Sequence, residues 1–318
     1  MKYLIVIIGI VLILIWYFCH GVSISGLRTS SSIFSYEQSV IHISEIQSKE
    51  KGKINPLCAS RLFTHGKKVK KTIILLHGFT NCPQQFETLG KQLYELGYNV
   101  YIPLYPYHGL QNRMNTELKN LSAEKIKQFT DEVTNTTYGL GESVSVMGLS
   151  AGGLMAGWIG QYKPNIQQVM IIAPNFQYID VPMKYSMPVT RLLCLMPFYY
   201  KWWDDNLKET IPGPKHAYPG FPLNSMGEYF YFASILQEET KNIHPKTSRF
   251  IMVNNADDKA VHREQIRYYV NNLKKWNVNL TEFEFPSGTI PNHDIIDPAQ
   301  PNQPIEYIYP QLIKLLEG

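Results

Sequence analysis

The chain has 318 residues, 44% of them hydrophobic and 18% charged, with a formal net charge of +4. This suits a globular domain with a large core and excludes a low-complexity or wholly disordered chain. The charge is only mildly basic, and its densest cluster, Gly66 to Lys71, reads as a solvated loop, so no nucleic-acid partner is expected. No G-x-x-x-x-G-K phosphate loop or H-E-x-x-H zinc motif occurs, and neither a metal nor a cofactor is expected.

Tyr3 to Cys19 is an unbroken apolar run behind Lys2. As a helix it is about 25 Å long, at the lower end of what spans a bilayer. It ends Trp16-Tyr17-Phe18-Cys19, without the small residues of a signal-peptidase site. Residues 1–20 are therefore expected to be an uncleaved membrane anchor, with a cleaved signal segment as the alternative. The positive end favours a cytoplasmic N-terminus and places the rest outside the cytoplasm. Residues 21–54 are polar and Ser-rich and read as a tether.

From residue 55 strands and helices alternate. Apolar β-branched runs predict strands over Thr72–Phe79, Tyr98–Pro106, Ser143–Gly148, Gln168–Asn175, Ser248–Asn255 and Asn279–Phe285. Between them, helical spacing is found over Gln84–Tyr98 (Leu89, Leu93 and Leu96 on one face) and Ala123–Thr137 (Ile126, Phe129 and Val133). Further helices are expected over Ala151–Tyr162, Arg263–Trp276 and Pro304–Gly318. The alternation predicts an α/β domain over 55–318, with a mostly parallel, doubly wound sheet. Residues 177–246 lack a clear strand and are rich in aromatics and Met. They are expected to form a helical lid insertion over the carboxyl ends of the strands, where ligands bind in such folds.

Cys58 and Cys82 flank the first core strand, and both a disulfide and a pair of free core thiols fit the sequence. Cys194, in an apolar stretch, is expected to be buried.

Gly148-Leu149-Ser150-Ala151-Gly152 lies between a strand and a helix, which is the setting of a G-x-S-x-G nucleophile elbow. The turn is sharp, and Gly148 and Gly152 leave room for the neighbouring strand and helix. A serine hydroxyl needs a base, and the base an orienting carboxylate, in the chain order Ser, acid, His. Of the histidines after Ser150, His216 and His244 lie in or beside the insertion and His262 starts a helix. His293 follows the last strand, where the base belongs, and His262 is the second choice. Asp258 is the favoured acid, with the adjacent Asp257 as its rival. Asp294 and Asp297 are too close in sequence to His293. The oxyanion donors expected are the backbone N–H groups of Ala151 and of Phe79, after His77-Gly78. His77 itself reads as structural.

With these residues in place the chain resembles the α/β-hydrolase superfamily, and most of all its esterase, monoacylglycerol lipase and serine aminopeptidase branch. The resemblance runs from Asn55 to Gly318 and rests on HGFT (His77–Thr80), YPYHG (Tyr105–Gly109), GLSAGG (Gly148–Gly153), DDKAV (Asp257–Val261) and NHD (Asn292–Asp294). Members of the branch often read P-G-H-G where this chain has Pro106-Tyr107-His108-Gly109, which leaves His108 as a loop residue near the site.

The resemblance implies hydrolysis of carboxylic esters through an acyl-enzyme on Ser150, with a small-molecule ester or lipid as substrate. Two other readings stand beside it. A peptidase would use the same triad with an acidic group in the lid to hold the substrate amine, for which Asp204, Asp205, Glu209, Glu228, Glu238 and Glu239 are available. A non-catalytic binding protein on the same fold is the other, and such proteins usually lack a triad member.

Overall fold

Strands buried along their whole length must lie inside a sheet covered on both faces. In a computed structural model of the protein, which describes residues 33–205 and 213–318, they do. The seven-stranded sheet has the order β1-β3-β2-β4-β5-β8-β9. Its strands are β1 (Arg61–Phe63), β2 (Val69–Leu76), β3 (Tyr98–Ile102), β4 (Gly141–Leu149), β5 (Ile166–Ile172), β8 (Arg249–Asn255) and β9 (Asn279–Phe285). All neighbours run parallel except β1, which pairs antiparallel with β3 (Leu62 opposite Tyr101). β2 and β4 lie in the middle, with Ile74 opposite Val146.

The helices are α1 (Tyr36–Glu50), α2 (Glu87–Glu95), α3 (Ala123–Thr137), α4 (Ala151–Tyr162), α5 (Ser186–Cys194), α6 (Leu223–Asn242), α7 (Arg263–Lys274) and α8 (Ile305–Glu317). α3 starts at Ser122, whose side chain caps the Lys125 N–H, and buries Ile126 and Val133 as its spacing requires. α4 is different: every residue from Ala151 to Gln161 is buried. An apolar helix of this kind fits only between the sheet and a further layer. That layer includes α6, whose Phe232 packs on Trp158 with ring centroids 4.6 Å apart.

Several expectations need correction. The tether does not extend over residues 36–50, which form α1. There Ser35 and Gln38 make a reciprocal capping box, Ile43 is fully buried, and the Ser39 hydroxyl donates to the Thr136 carbonyl at the end of α3. Leu96 does not join Leu89 and Leu93 on the buried face, because α2 ends at Glu95 and Leu96 is exposed. The insertion is not purely helical. It holds a two-stranded antiparallel hairpin, β6 (Tyr200–Trp202) with β7 (Gly220–Pro222). It is also shorter than 177–246. Phe232, Ala233, Ile235 and Leu236 of α6 join the main core, and only the first turns of α6 (Leu223, Met226, Phe230) join a separate lid cluster with Leu118, Tyr218 and Phe221. α6 is thus a crossover helix of the body that begins in the lid. Cys194 is only partly buried.

The anchor or signal segment (1–20) and residues 21–32 lie outside the described residues. Among the described residues no helix is long and apolar enough to cross a membrane. Cys58 and Cys82, both fully buried, are joined in a disulfide. It fastens the segment before β1 to the end of the loop that follows β2.

The disulfide closes a separation of 24 residues, which on chain-entropy grounds stabilises the fold by about 3 kcal/mol. The double substitution Cys58→Ala with Cys82→Ala should lower the thermal midpoint by roughly 5–10 °C, read by circular dichroism. An unchanged midpoint would mean that the bond restrains nothing that matters to unfolding.

Candidate active site

β4 runs straight into α4, and Ser150 is the single residue between them. Its backbone has φ 57° and ψ −113°, outside the regions that L-residues favour. Its N–H donates to the Ile172 carbonyl of β5 at 2.8 Å, and its carbonyl accepts from Leu154 of α4 at 3.1 Å, so both sides of the turn are held. The room expected from the two glycines is confirmed by distance. A Cβ on Gly148 would lie 2.1 Å from the Gly152 carbonyl oxygen, and one on Gly152 would lie 2.0 Å from that of Leu76. Both obstacles are backbone and cannot move aside. The N-terminus of α4, with its partial positive charge, opens at the same place.

His293 lies in the loop after β9. Its Nδ1 is 2.7 Å from Asp258 Oδ2. A carboxylate can only accept, so Nδ1 carries the proton and Nε2 is the basic nitrogen. Asp258 Oδ1 accepts the Ala260 N–H at 2.8 Å, which completes its fixation. Asp257 turns the other way. It accepts from the Ser287 hydroxyl and the Gly288 N–H, each at 2.5 Å, and these bonds hold its carboxyl below the usual range. Asn255, at the end of β8, is a brace that sequence reading missed. Its Nδ2 donates to the carbonyls of Ile290 (3.0 Å) and Asn292 (3.2 Å), and its Oδ1 accepts the Asp257 N–H. Burial of the His293 ring opposes its charging, but the bond and charge of Asp258, aided by Asp294, outweigh this and raise its pKa above the ordinary 6.5.

Ser150, Ala151, Phe79 and His293 all line one cavity of about 600 Å³ over the carboxyl ends of the strands. Gly78, Phe79, Thr80 and Asn81 form its wall after β2, and the Gly78 N–H is taken by Gln85 Oε1 at 2.7 Å. The lid side is apolar, with Trp202, Phe221, Met226, Tyr229 and Phe230. The Phe79 ring meets Phe221 and Tyr229 edge-on, at 4.9 and 5.2 Å between centroids.

The fold recurs among solved structures. One of the metagenome-derived lipolytic enzymes LipS and LipT superposes with a TM-score of 0.62 at 15% identity, over 83% of this chain and 99% of that one. A monoacylglycerol lipase from Paleococcus ferrophilus gives a TM-score of 0.57 at 17% identity, over 81% and 97%. A soluble variant of the Saccharomyces cerevisiae monoglyceride lipase gives 0.53 at 12% identity, over 81% and 90%. The chain has the α/β-hydrolase fold. Residues 67–212 also match the family described as serine aminopeptidase, S33, a span that includes Phe79, Ser150 and Ala151. A comparison with curated proteins finds no match.

The other histidines considered from the sequence lie elsewhere. His77 is buried and stacked on Tyr105 at 3.6 Å, and its Nδ1 lies 2.9 Å from the Gly78 carbonyl. Burial pushes it and His108 below the usual imidazole range, His108 to about 4. His108 lines a second, smaller cavity instead of the main one. His262 occupies the N-cap position of α7 without a side-chain capping bond and does not line the main cavity, the His244 ring lies tilted 5.5 Å from that of Trp276, and His216 pairs with Asp297 at 2.7 Å.

Of the acidic residues considered for a peptidase, Asp204 lines the cavity. Glu228 accepts the Ala123 N–H, Glu239 accepts from the Tyr162 hydroxyl, Glu238 bonds Asn242, and Glu209 lies outside the described residues. Among the described residues no group of three or more His, Cys, Asp or Glu side chains is placed to hold a metal ion. Sequence reading also missed Asn81, Gln85 and Gln300, which line the cavity beside His293. Amides of this kind carry no spacing signal.

Two outcomes follow from this geometry. In an NMR titration, wild-type His293 should titrate above pH 6.5, and Asp258→Asn should carry it downward, whereas Asp257→Asn should shift it little. Gly152→Ala should abolish soluble folded protein or cost several kcal/mol in denaturant unfolding.

Proposed function

We propose that the protein hydrolyses carboxylic esters by the two-step route of a serine hydrolase. Ser150 is the nucleophile, His293 the general base, and Asp258 the carboxylate that orients it. The observation that carries this reading is the 2.7 Å bond from His293 Nδ1 to Asp258, made by a histidine that shares its cavity with a backbone-strained serine at a helix N-terminus.

His293 Nε2 takes the Ser150 proton as Oγ attacks the ester carbonyl. The oxyanion of the tetrahedral intermediate is met by the N–H groups of Ala151 and Phe79, with the α4 dipole behind them. His293 then returns the proton to the leaving alcohol. Water attacks the acyl-enzyme by the same steps in reverse and frees the acid.

The aromatic and Met-lined lid wall suits an apolar acyl or alcohol group of moderate size. The similar structures are described as lipolytic enzymes and monoacylglycerol lipases, which favours an ester of that kind. The second reading, an aminopeptidase, draws on the family match over residues 67–212 and on Asp204 at the cavity, where it could pair with a substrate amine. A non-catalytic role is the least favoured, since each member of the proposed triad is present. The proposed location is outside the cytoplasm, tethered by the N-terminal apolar run. The buried disulfide favours that oxidising setting.

Ser150→Ala should lower p-nitrophenyl butyrate hydrolysis by roughly 10⁴-fold or more and remove fluorophosphonate labelling. Retention of either would refute the mechanism. Because His293 must be neutral to act and its pKa is raised, kcat/KM should fall as pH drops, with a midpoint above 6.5. Aminoacyl p-nitroanilides assayed beside the esters separate the two substrate classes, and higher kcat/KM on the amides would favour the peptidase.

A further inference from the structure

Asp294 follows the proposed base directly in sequence and is too close to it to serve as its orienting acid. Yet its carboxylate gathers five donors. Oδ2 accepts from Gln85 Nε2 at 2.7 Å, Gln300 Nε2 at 3.1 Å and Asn81 Nδ2 at 3.2 Å. Oδ1 accepts the backbone N–H groups of Asp297 at 3.1 Å and Ile296 at 3.2 Å. Two of these donors, Gln85 and Asn81, belong to the other side of the cavity.

Gln85 has a second contact. Its Oε1 accepts the Gly78 N–H at 2.7 Å. A side-chain amide has one accepting and one donating end. A carboxylate that can only accept decides which end faces it, and therefore which end faces Gly78. Asn81 is held in the same sense: its Nδ2 donates to Asp294, and its Oδ1 accepts the Cys82 N–H at 2.8 Å. Asp294 thus fixes both ends of Gly78–Cys82, the loop that carries the Phe79 N–H, against the loop that carries His293.

We infer that Asp294 is a positioning residue which, through the Gln85 amide, sets the Phe79 N–H relative to His293. This rests on the reading of Phe79 as an oxyanion donor. An oxyanion donor acts only when it is within hydrogen-bond distance of the developing charge, and a displacement of about 1 Å can cost on the order of 10²-fold in rate. Asn at 294 would put an NH₂ group where an oxygen now accepts, facing either the Gln85 amide or the two backbone N–H groups. Asp294 also bears on His293 by charge. The carboxylates facing His293 are Asp258 and Asp294, while Asp297 faces Asp294 and is itself paired with His216.

The test uses the full chain with Asp294→Asn, Gln85→Ala, the two combined, and Ser150→Ala as reference. It measures kcat and KM on p-nitrophenyl butyrate, the pH profile, and backbone amide exchange over residues 78–86 by mass spectrometry. Each single substitution should lower kcat by roughly 10- to 100-fold with KM within about threefold. The combination should lose no more than the worse single variant, because both act on one path. The acid limb of kcat/KM should move to lower pH in Asp294→Asn and in the combination, and not in Gln85→Ala. Exchange over residues 78–82 should quicken in Asp294→Asn and Gln85→Ala and stay as in wild type in Ser150→Ala. An unchanged kcat, losses that multiply in the combination, or unaltered exchange would each overturn the inference. If exchange responds as expected while the wild-type protein neither cleaves esters nor labels, the positioning role stands and the ester-hydrolase reading falls.

Discussion

The passage of the chain from β4 into α4 constrains everything around it. Backbone lies against backbone there, with the Gly152 position pressed on the Leu76 carbonyl of β2 and the Gly148 position on Gly152 itself. No side chain fits at either position, and Ser150 between them takes a conformation that costs about 1–3 kcal/mol. The burial of α4 offsets this. Leu154, Met155, Trp158 and Ile159 are all removed from water, each at a gain of order 1.5–3 kcal/mol. The strained serine therefore stays in place because the helix behind it has no other place to go. Since β4 is central in a parallel sheet, the loops that end β2, β8 and β9 come together over the same serine. The site's geometry is a consequence of strand order more than of any single contact.

Periodicity made most of the frame legible. The six long strands β2, β3, β4, β5, β8 and β9, the helices α3, α4, α7 and α8, and the elbow follow from apolar patterning and from glycines two residues either side of a serine. The place of His293 on the main cavity was legible by position, as the histidine after the last strand. What stayed hidden depends on contacts between distant segments. Sequence favours Asp258 over the adjacent Asp257 but cannot show which of them faces His293; Asp258 does, and Asn255, whose side chain bonds the end of β8 and the His293 loop together, is visible only in the fold. β1 has only three residues and is a strand because β3 has an open edge. α1 is polar enough to pass for a tether, and becomes a helix through a capping box and a few burials against α3.

The limits of the lid are hidden for a related reason. The return of a strand pattern at β8 does not mark its end, because α6 changes allegiance along its length. Its first turns meet Tyr218 and Phe221, and its later turns meet the body at Trp158. The hairpin β6–β7 is too short, and too rich in Pro, Gly and aromatics, to show a period of two. Such an element is held by what it covers.

What it covers is the loop after β2. The Trp203 indole N–H donates to the Thr80 hydroxyl at 2.8 Å, the Tyr218 N–H donates to the Thr80 carbonyl at 2.8 Å, and the Phe79 ring sits among the lid's aromatics. The same short loop is held from the other side by Gln85 and Asn81, and at its end by the disulfide. Lid and loop therefore share one core and cannot be displaced separately without breaking these bonds. Phe79 stands where the two meet: its ring packs against both the main core and the lid cluster, and it lines the main cavity. On the proposed reading, in which the Phe79 N–H meets the oxyanion, accommodation of an apolar group and placement of that N–H would be governed by the same residue, so the shape of the bound group would bear on rate as well as on affinity.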